Sequence, residues 1–169
     1  DLLMHHQQNH EDSASYAVVS PESLTLRSSP GIRLIIAAMQ YLNNREAVIP
    51  LANVMLLHQR LQGRQEATHD LFAKAAAGTI PEGALPEGFV AHADELASLS
   101  IYEMTERLIR LFGLEHATHD QPYLSAFLDF ALKFSRNDSA DLAAFLEWWE
   151  ETGKRQSVEL PETRDAVRI

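Results

Sequence analysis

The sequence contains no cysteine among its 169 residues, and it also lacks long apolar runs. Without cysteine, a disulfide scaffold and a thiolate metal site are both excluded. No apolar stretch approaches the ~18–20 residues that a membrane-spanning helix requires, so we expect no membrane partner. Residues 1–6 carry neither the basic region nor the apolar stretch of a signal peptide. These features together favour a cytoplasmic protein.

Basic residues are scarce relative to acidic ones. The chain has 14 Lys and Arg against 24 Asp and Glu, so its formal net charge is −10. A uniformly acidic surface repels nucleic acid and anionic lipid. Any contact with DNA must therefore use a local basic patch, or the chain must be a minor part of a larger protein.

Hydrophobic residues make up 46% of the chain and charged residues 22%, which is ordinary for a globular protein. Apolar side chains recur mainly at helical spacing, and residues typical of helix starts precede these stretches. The predicted helix caps are Ser29 followed by Pro30, Ser100 in a capping box with Glu103, and Ser139. We predict one mainly α domain over residues 1–169, with seven or eight helices and short strands near both termini. The predicted helices cover about 2–10, 30–42, 50–61, 66–77, 100–112, 122–134 and 139–152, with strands at 14–20 and 165–169 and a loop at 79–88.

The motifs that usually carry catalysis or cofactor binding are missing. There is no G-x-x-x-x-G-K-[ST] phosphate loop, no G-x-G-x-x-G, no H-E-x-x-H and no G-x-S-x-G. His6 and His10 are four residues apart, and His116 lies close to His119, but neither pair has a third ligand at a suitable spacing. We expect no catalytic, cofactor-binding or metal-binding residue in this chain.

Two adjacent tryptophans, Trp148 and Trp149, cannot face the same core, because neighbouring helix positions differ by about 100°. Trp149 continues an apolar stripe and is predicted to be in the core. Trp148 lies off that stripe, so it either packs against another helix or contacts a partner domain. Base stacking is a weaker interpretation, since the neighbouring Glu147, Glu150 and Glu151 repel phosphates.

Four arginines are the best candidates for DNA contact. Arg27 and Arg33 flank the start of the first strongly predicted helix, and Arg60 and Arg64 lie one turn apart. The alternative is that they are solvated or paired with carboxylates, and the sequence leaves both interpretations open.

Three groups of residues together resemble a known family. They are YAVVSPESL at 16–24 with SSPGIRL at 28–34 and YLNN at 41–44, then PYLSAFLD at 122–129, then FLEWWEETG at 145–153 with DAVRI at 165–169. This pattern is similar to the C-terminal motor half of UvrD/Rep-like superfamily 1 DNA helicases. Within that class, it most resembles the helicase-nuclease branch of AddA and RecB-type subunits.

The resemblance implies that the chain is the helical accessory domain inserted in the second RecA-like motor domain of a longer protein. Residues 14–20 and 165–169 would then be stubs of the motor sheet. The family's Thr-x-His-x-x-Lys-Gly motif is expected immediately after Ile169. The residues that bind ATP and Mg²⁺ would belong to the parent protein and not to this chain.

The implied function is that of a regulatory domain, without catalysis of its own, in an ATP-dependent DNA helicase of repair or recombination. Its partners would be the rest of the motor and DNA, and the parent could also carry an exonuclease. Because the net charge is −10, we predict weak or undetectable DNA binding by the isolated chain at physiological salt. The alternative is a freestanding helical protein-interaction module with no nucleic-acid role.

Overall fold

A computed structural model describes residues 24–65, 67–137 and 140–159 of the chain. Within these residues the fold is mainly α, as predicted. The helices are α1 (Pro30–Asn43), α2 (Val48–Leu61), α3 (Thr68–Ala76), α4 (Ala93–Ser98), α5 (Ile101–Leu111), α6 (Gln121–Ser135) and α7 (Leu142–Glu151). Short 3₁₀ turns lie at Leu26–Ser28, Leu114–His116, Thr118–Asp120 and Gly153–Arg155. The helix predicted at 2–10 and the strands predicted at 14–20 and 165–169 lie outside the described residues.

Local capping explains where two of the helices begin. At the start of α1, the Ser29 hydroxyl accepts the backbone N–H of Ile32 at 3.2 Å, and Pro30 occupies the first helical position. At the start of α5, Ser100 and Glu103 form a reciprocal capping box. Both starts agree with the sequence prediction.

Two other helix starts differ from the prediction. The carboxylate of Asp141 caps α7 by accepting the N–H of Ala144 at 2.7 Å, whereas the predicted cap, Ser139, lies outside the described residues. Helix α2 begins at Val48, two residues before the predicted Pro50. Pro50 is tolerated in the first turn because the N–H groups of a first turn have no intrahelical partner, so the missing N–H of proline breaks no helical hydrogen bond.

The sequence prediction missed α4 entirely and made α3 too long. Helix α4 has only six residues, which is too short for a helical period to be recognised. It is held in place by the burial of Ala93 and Leu96. Helix α3 ends at Ala76, and Gly78 follows with a φ of 73°, which stops the helix.

Helix α1 lies at the centre of the molecule and packs against α2, α4, α5, α6 and α7. Apolar residues cover almost its whole circumference, which is typical of a helix buried on all sides. Its buried apolar side chains are Ile32, Leu34, Ile35, Ile36, Met39, Tyr41 and Leu42, with Ala37 and Ala38. None of the helices in the described residues is both long enough and apolar enough to span a membrane.

The first and last segments of the described chain lie side by side. Thr25 and Ser157 form an isolated antiparallel bridge. Backbone hydrogen bonds of 2.9 Å and 2.7 Å flank it and join residues 24–26 to residues 156–158. The chain therefore enters and leaves the helical unit at one place.

Candidate nucleic-acid interface

A surface groove of about 320 Å³ runs between α1 and α2. A four-residue connection joins the two helices, so they pack as an antiparallel hairpin. Arg33, Ala37 and Gln40 line the groove from α1, at a spacing that keeps side chains on one helix face. From α2, the groove is lined by Asn53 and by Arg60, seven residues later. Because the helices are antiparallel, the two arginines share one end and the two amides share the other.

The arginine end is assembled from four segments that are distant in sequence. Besides Arg33 and Arg60, it contains Arg27 from the first 3₁₀ turn and Lys154 from the last one. These two turns pack against each other, and the first also packs against α1. The Arg33 guanidinium donates from Nη2 to the backbone carbonyl of Ser28 at 3.3 Å. Three of the four predicted DNA-contact residues are thus brought together, with Lys154 as a cation that the sequence did not single out.

The charge of this end is only partly compensated. Lys154 pairs with Glu150, its Nζ lying 2.9 Å from the carboxylate. Arg27, Arg33 and Arg60 make no ion pair with any residue that the structure describes. Three exposed guanidinium groups therefore face one groove without a carboxylate partner there. On a chain of net charge −10, that is a local reversal of sign.

The floor of the groove is apolar and belongs to the core. It is lined by Ile36, Ala37, Leu56, Leu57 and Trp149. Ile36 is 6% exposed and Trp149 4% exposed, so both are fixed by packing. A ligand in the groove would therefore meet a preformed apolar surface between the two polar ends.

Gln40 and Asn53 form the polar end opposite the arginines. Both are half-buried and line the groove. Their side-chain amides make no hydrogen bond within the described part of the chain. Each amide offers two donors and one acceptor oxygen to a ligand. Neither residue was predicted from the sequence. Each lies seven residues from an arginine of the same helix, and this spacing indicates that the two side chains share one helix face.

The fourth predicted residue, Arg64, lies in an adjoining recess of about 400 Å³ that also contains Arg60 and Leu56. Its Nη1 donates to the carbonyl of Gly83 at 3.5 Å, so its guanidinium also contacts the loop between α3 and α4. Arg60 is shared by the groove and the recess. The four arginines consequently follow one another across adjacent parts of the same face.

His58 on α2 is buried and attaches the 77–92 loop to the helical hairpin. Its Nδ1 lies 3.0 Å from the carbonyl oxygen of Ala84, so a neutral ring protonated on Nδ1 donates there. The ring packs edge-on against Phe112, with centroids 5.4 Å apart. Burial lowers the pKa of His58 below its ordinary value of 6.5; the bond to Ala84 opposes this, and the charge of Arg64 adds to it.

Trp148 lies outside the groove and packs within the chain. Its ring contacts Phe130, Phe134 and Phe145, at centroid distances of 5.5, 6.1 and 5.5 Å. It also covers Gly153, where an added Cβ would come within 2.5 Å of the indole. Trp148 stays half-buried, so part of its ring is accessible. Its predicted contact with a partner domain stays a prediction.

A search for groups of three or more His, Asp or Glu side chains that could hold a metal found none among the described residues. His116 and His119 lie in neighbouring 3₁₀ turns, and both are exposed. The nearby carboxylate of Asp120 is buried, and it accepts the Ser29 hydroxyl at 2.5 Å. Asp120 therefore stabilises the start of α1 by accepting this hydrogen bond.

Comparisons of the chain with models of protein families, with curated proteins and with solved structures found no match. The resemblance to superfamily 1 helicases therefore stays a prediction. The features that bear on function are the geometry of the groove and the pairing of residues 24–26 with residues 156–158.

Proposed function

We propose that this chain is a DNA-contacting accessory domain of an ATP-dependent helicase, and that the groove between α1 and α2 meets the phosphate backbone. The domain has no catalysis of its own in this proposal, and ATP and Mg²⁺ are bound by the motor of the parent protein. The observation that carries the proposal is the gathering of Arg27, Arg33 and Arg60 in one groove.

Arginine suits this task because its planar guanidinium can bind a phosphate through two parallel hydrogen bonds. Three such groups in one groove can contact successive phosphates or clamp a single one. The surrounding acidic surface opposes binding elsewhere on the chain. DNA contact is therefore concentrated at the groove and stays weak unless the motor supplies additional contacts.

The bridge between Thr25 and Ser157 supports the accessory-domain part of the proposal. A domain inserted within another must receive and return the chain at neighbouring points, and this pairing provides that geometry. The proposal also expects the coding sequence to continue on both sides. A phosphate-binding loop should lie upstream and a Thr-x-His-x-x-Lys-Gly motif downstream, and a reading frame without them would contradict it.

The DNA contact can be tested by fluorescence anisotropy, with a labelled oligonucleotide and the 169-residue chain at several salt concentrations. We expect measurable binding near 50 mM salt and weak or undetectable binding at physiological salt. With three arginines engaged, the slope of log affinity against log salt should be about −2 to −3. Arg33→Ala and Arg60→Ala should each weaken binding and reduce the slope by about 0.7–0.9.

The matched control is Arg110→Ala, which removes an exposed arginine of α5 that is not part of the groove. This variant should bind as the unmodified chain does. Equal losses in all three variants would show that only overall charge matters and would contradict the groove as the contact. Submicromolar binding at physiological salt would contradict the predicted weakness.

The alternative, a protein-interaction module without a nucleic-acid role, is favoured by one separate observation. Phe130, Phe134 and Trp148 form an aromatic cluster that the described residues cover only partly. If the groove variants leave DNA binding unchanged and Trp148→Ala disrupts a complex with another protein, this second function replaces the first.

A further inference from the structure

We infer that the groove between α1 and α2 holds one nucleotide of single-stranded DNA, with its phosphate at the arginine end and its base at the amide end. The inference rests on the proposed function, because it assumes that nucleic acid enters this groove. It goes further in naming which form of DNA is bound and how the nucleotide is oriented.

The orientation follows from the polarity of the groove. Arg33 and Gln40 are seven residues apart on α1, and Asn53 and Arg60 are seven apart on α2. A rise of 1.5 Å per residue separates the basic end from the amide end by about 10 Å. That separation is comparable to one extended nucleotide, measured from its phosphate to the far edge of its base.

The apolar floor distinguishes a single strand from a duplex. In a duplex the bases are stacked and paired, so only phosphates, sugars and groove edges are presented to a surface of this size. An unstacked base can instead lie against the half-buried side chains of Leu56 and Leu57, which form the floor between the polar ends together with Ile36 and Trp149. Burial of a base there would stabilise binding in addition to the phosphate contacts.

The amide end suits the polar edge of a base. Asn and Gln side chains can donate and accept at once, and a paired contact of this kind to adenine is a common form of base recognition. Gln40 and Asn53 lie at the same end of the groove and have no other hydrogen-bond partner for their amides within the described residues. We therefore expect the groove to prefer an adenine-containing strand.

The experiment compares three labelled DNAs by anisotropy at low salt, using the 169-residue chain. They are an adenine-containing single strand, an abasic strand of equal length that keeps the phosphates, and a duplex. We expect the single strand to bind about tenfold more tightly than either of the others. Adenosine monophosphate, added as a competitor at the same nucleotide concentration, should displace the strand poorly, because its single phosphate cannot contact Arg27, Arg33 and Arg60 as the successive phosphates of a strand can.

Variants then separate the two ends of the groove. Gln40→Ala combined with Asn53→Ala should weaken binding of the intact strand about threefold, which is part of the roughly tenfold gained from the whole base, and leave binding of the abasic strand unchanged. Arg33→Ala should weaken binding of both strands. The control is Asn43→Ala, which removes an exposed amide at the end of α1 outside the groove and should have no effect. Far-ultraviolet circular dichroism of each variant establishes that it is folded.

The outcomes distinguish this inference from the proposed function. If all three DNAs bind equally and only the arginine variant matters, the single-strand inference fails and the proposed phosphate contact stands. If none of the variants changes the binding of any of the three DNAs, the single-strand inference and the proposed phosphate contact both fail. If adenosine monophosphate displaces the strand at equal nucleotide concentration, the ligand is a free nucleotide and the strand assignment is overturned.

Discussion

We predict that the buried imidazole of His58 makes the stability of this fold depend on pH. His58 projects from α2 and packs against Phe112 and the 77–92 loop, and its hydrogen bond to Ala84 requires a proton on Nδ1 but no positive charge. Protonation of the other nitrogen would place a cation in a buried site that also faces Arg64.

The sign of the effect follows from the lowered pKa of His58. At a pH well above 6.5 the ring is neutral in the folded and unfolded states, so stability does not change with its titration. Below pH 6.5 the unfolded chain takes up a proton that the folded chain does not, and stability falls until pH reaches the folded-state pKa. Urea unfolding from about pH 7.5 to about pH 5.5 should show this loss.

A His58→Asn variant should flatten that pH dependence, because the amide can still donate to Ala84 but does not titrate. The exposed His119 provides a control, and His119→Asn should retain the full dependence of the unmodified chain. An unchanged slope in His58→Asn would show that other groups cause the loss at low pH.

The sequence predicts a helix at 50–61, which contains His58, and the structure confirms a helix there. Its partner could not be predicted, because Ala84 is 26 residues away and contributes only a backbone carbonyl. The groove likewise contains one residue whose position the sequence could not predict. The positions of Arg27, Arg33 and Arg60 beside or within predicted helices predict their use, whereas Lys154 lies near them because residues 24–26 pair with residues 156–158.

At the scale of the element, the start of α1 is docked onto the turn before α6. Asp120 accepts the Ser29 hydroxyl at 2.5 Å and the N–H of Gly31 at 3.3 Å. The Gly31 Cα lies so close to this carboxylate that an added Cβ would be 2.9 Å from Oδ2. A glycine is therefore needed inside the first turn of the central helix, although glycine is a poor helix former.

We predict that Gly31→Ala lowers the free energy of unfolding by about 1–3 kcal/mol, because the new methyl group displaces Asp120. Helix propensity alone would give the opposite sign, with alanine favoured by about 1 kcal/mol. Urea denaturation monitored by tryptophan fluorescence distinguishes the two.

A double-mutant cycle with Asp120→Ala isolates the contact. In that background the Gly31→Ala change should be neutral or stabilising, because the carboxylate that it meets is gone. If Gly31→Ala lowers the free energy of unfolding equally in both backgrounds, the cause of the loss lies elsewhere in the first turn.

Elements with a strong local signal were the ones that the sequence predicted well. The Ser29 cap and the Ser100–Glu103 box placed the starts of α1 and α5 correctly, since a cap depends on residues within one turn. Helix α4 depends instead on burying Ala93 and Leu96 against distant residues. No local pattern of six residues could have indicated it.

At the scale of the whole molecule, a groove lined by basic side chains belongs to a chain with a strongly negative net charge. The net charge is −10, and Glu150 neutralises Lys154 beside Arg27, Arg33 and Arg60, for which the described part of the chain provides no ion pair. We predict that Glu150→Gln strengthens binding of DNA at low salt about threefold and makes the salt slope steeper by about 0.7–0.9, as one further cation becomes available.

Glu115→Gln changes the net charge by the same amount in an exposed turn outside the groove. It should leave the salt slope unaltered, and anisotropy titrations of both variants test the difference. Equal gains in the two variants would mean that overall charge, and not the release of Lys154, sets the affinity.

The side-by-side pairing of residues 24–26 with residues 156–158 has a mechanical consequence. A tensile load that pulls these two segments apart acts on their hydrogen bonds one after another, in an unzipping direction, and it also pulls on the buried side chains of Leu26 and Val158. These two segments should consequently separate before α1 loses its packing against the other helices. Force applied through these segments should therefore turn the helical unit as a whole before the unit unfolds.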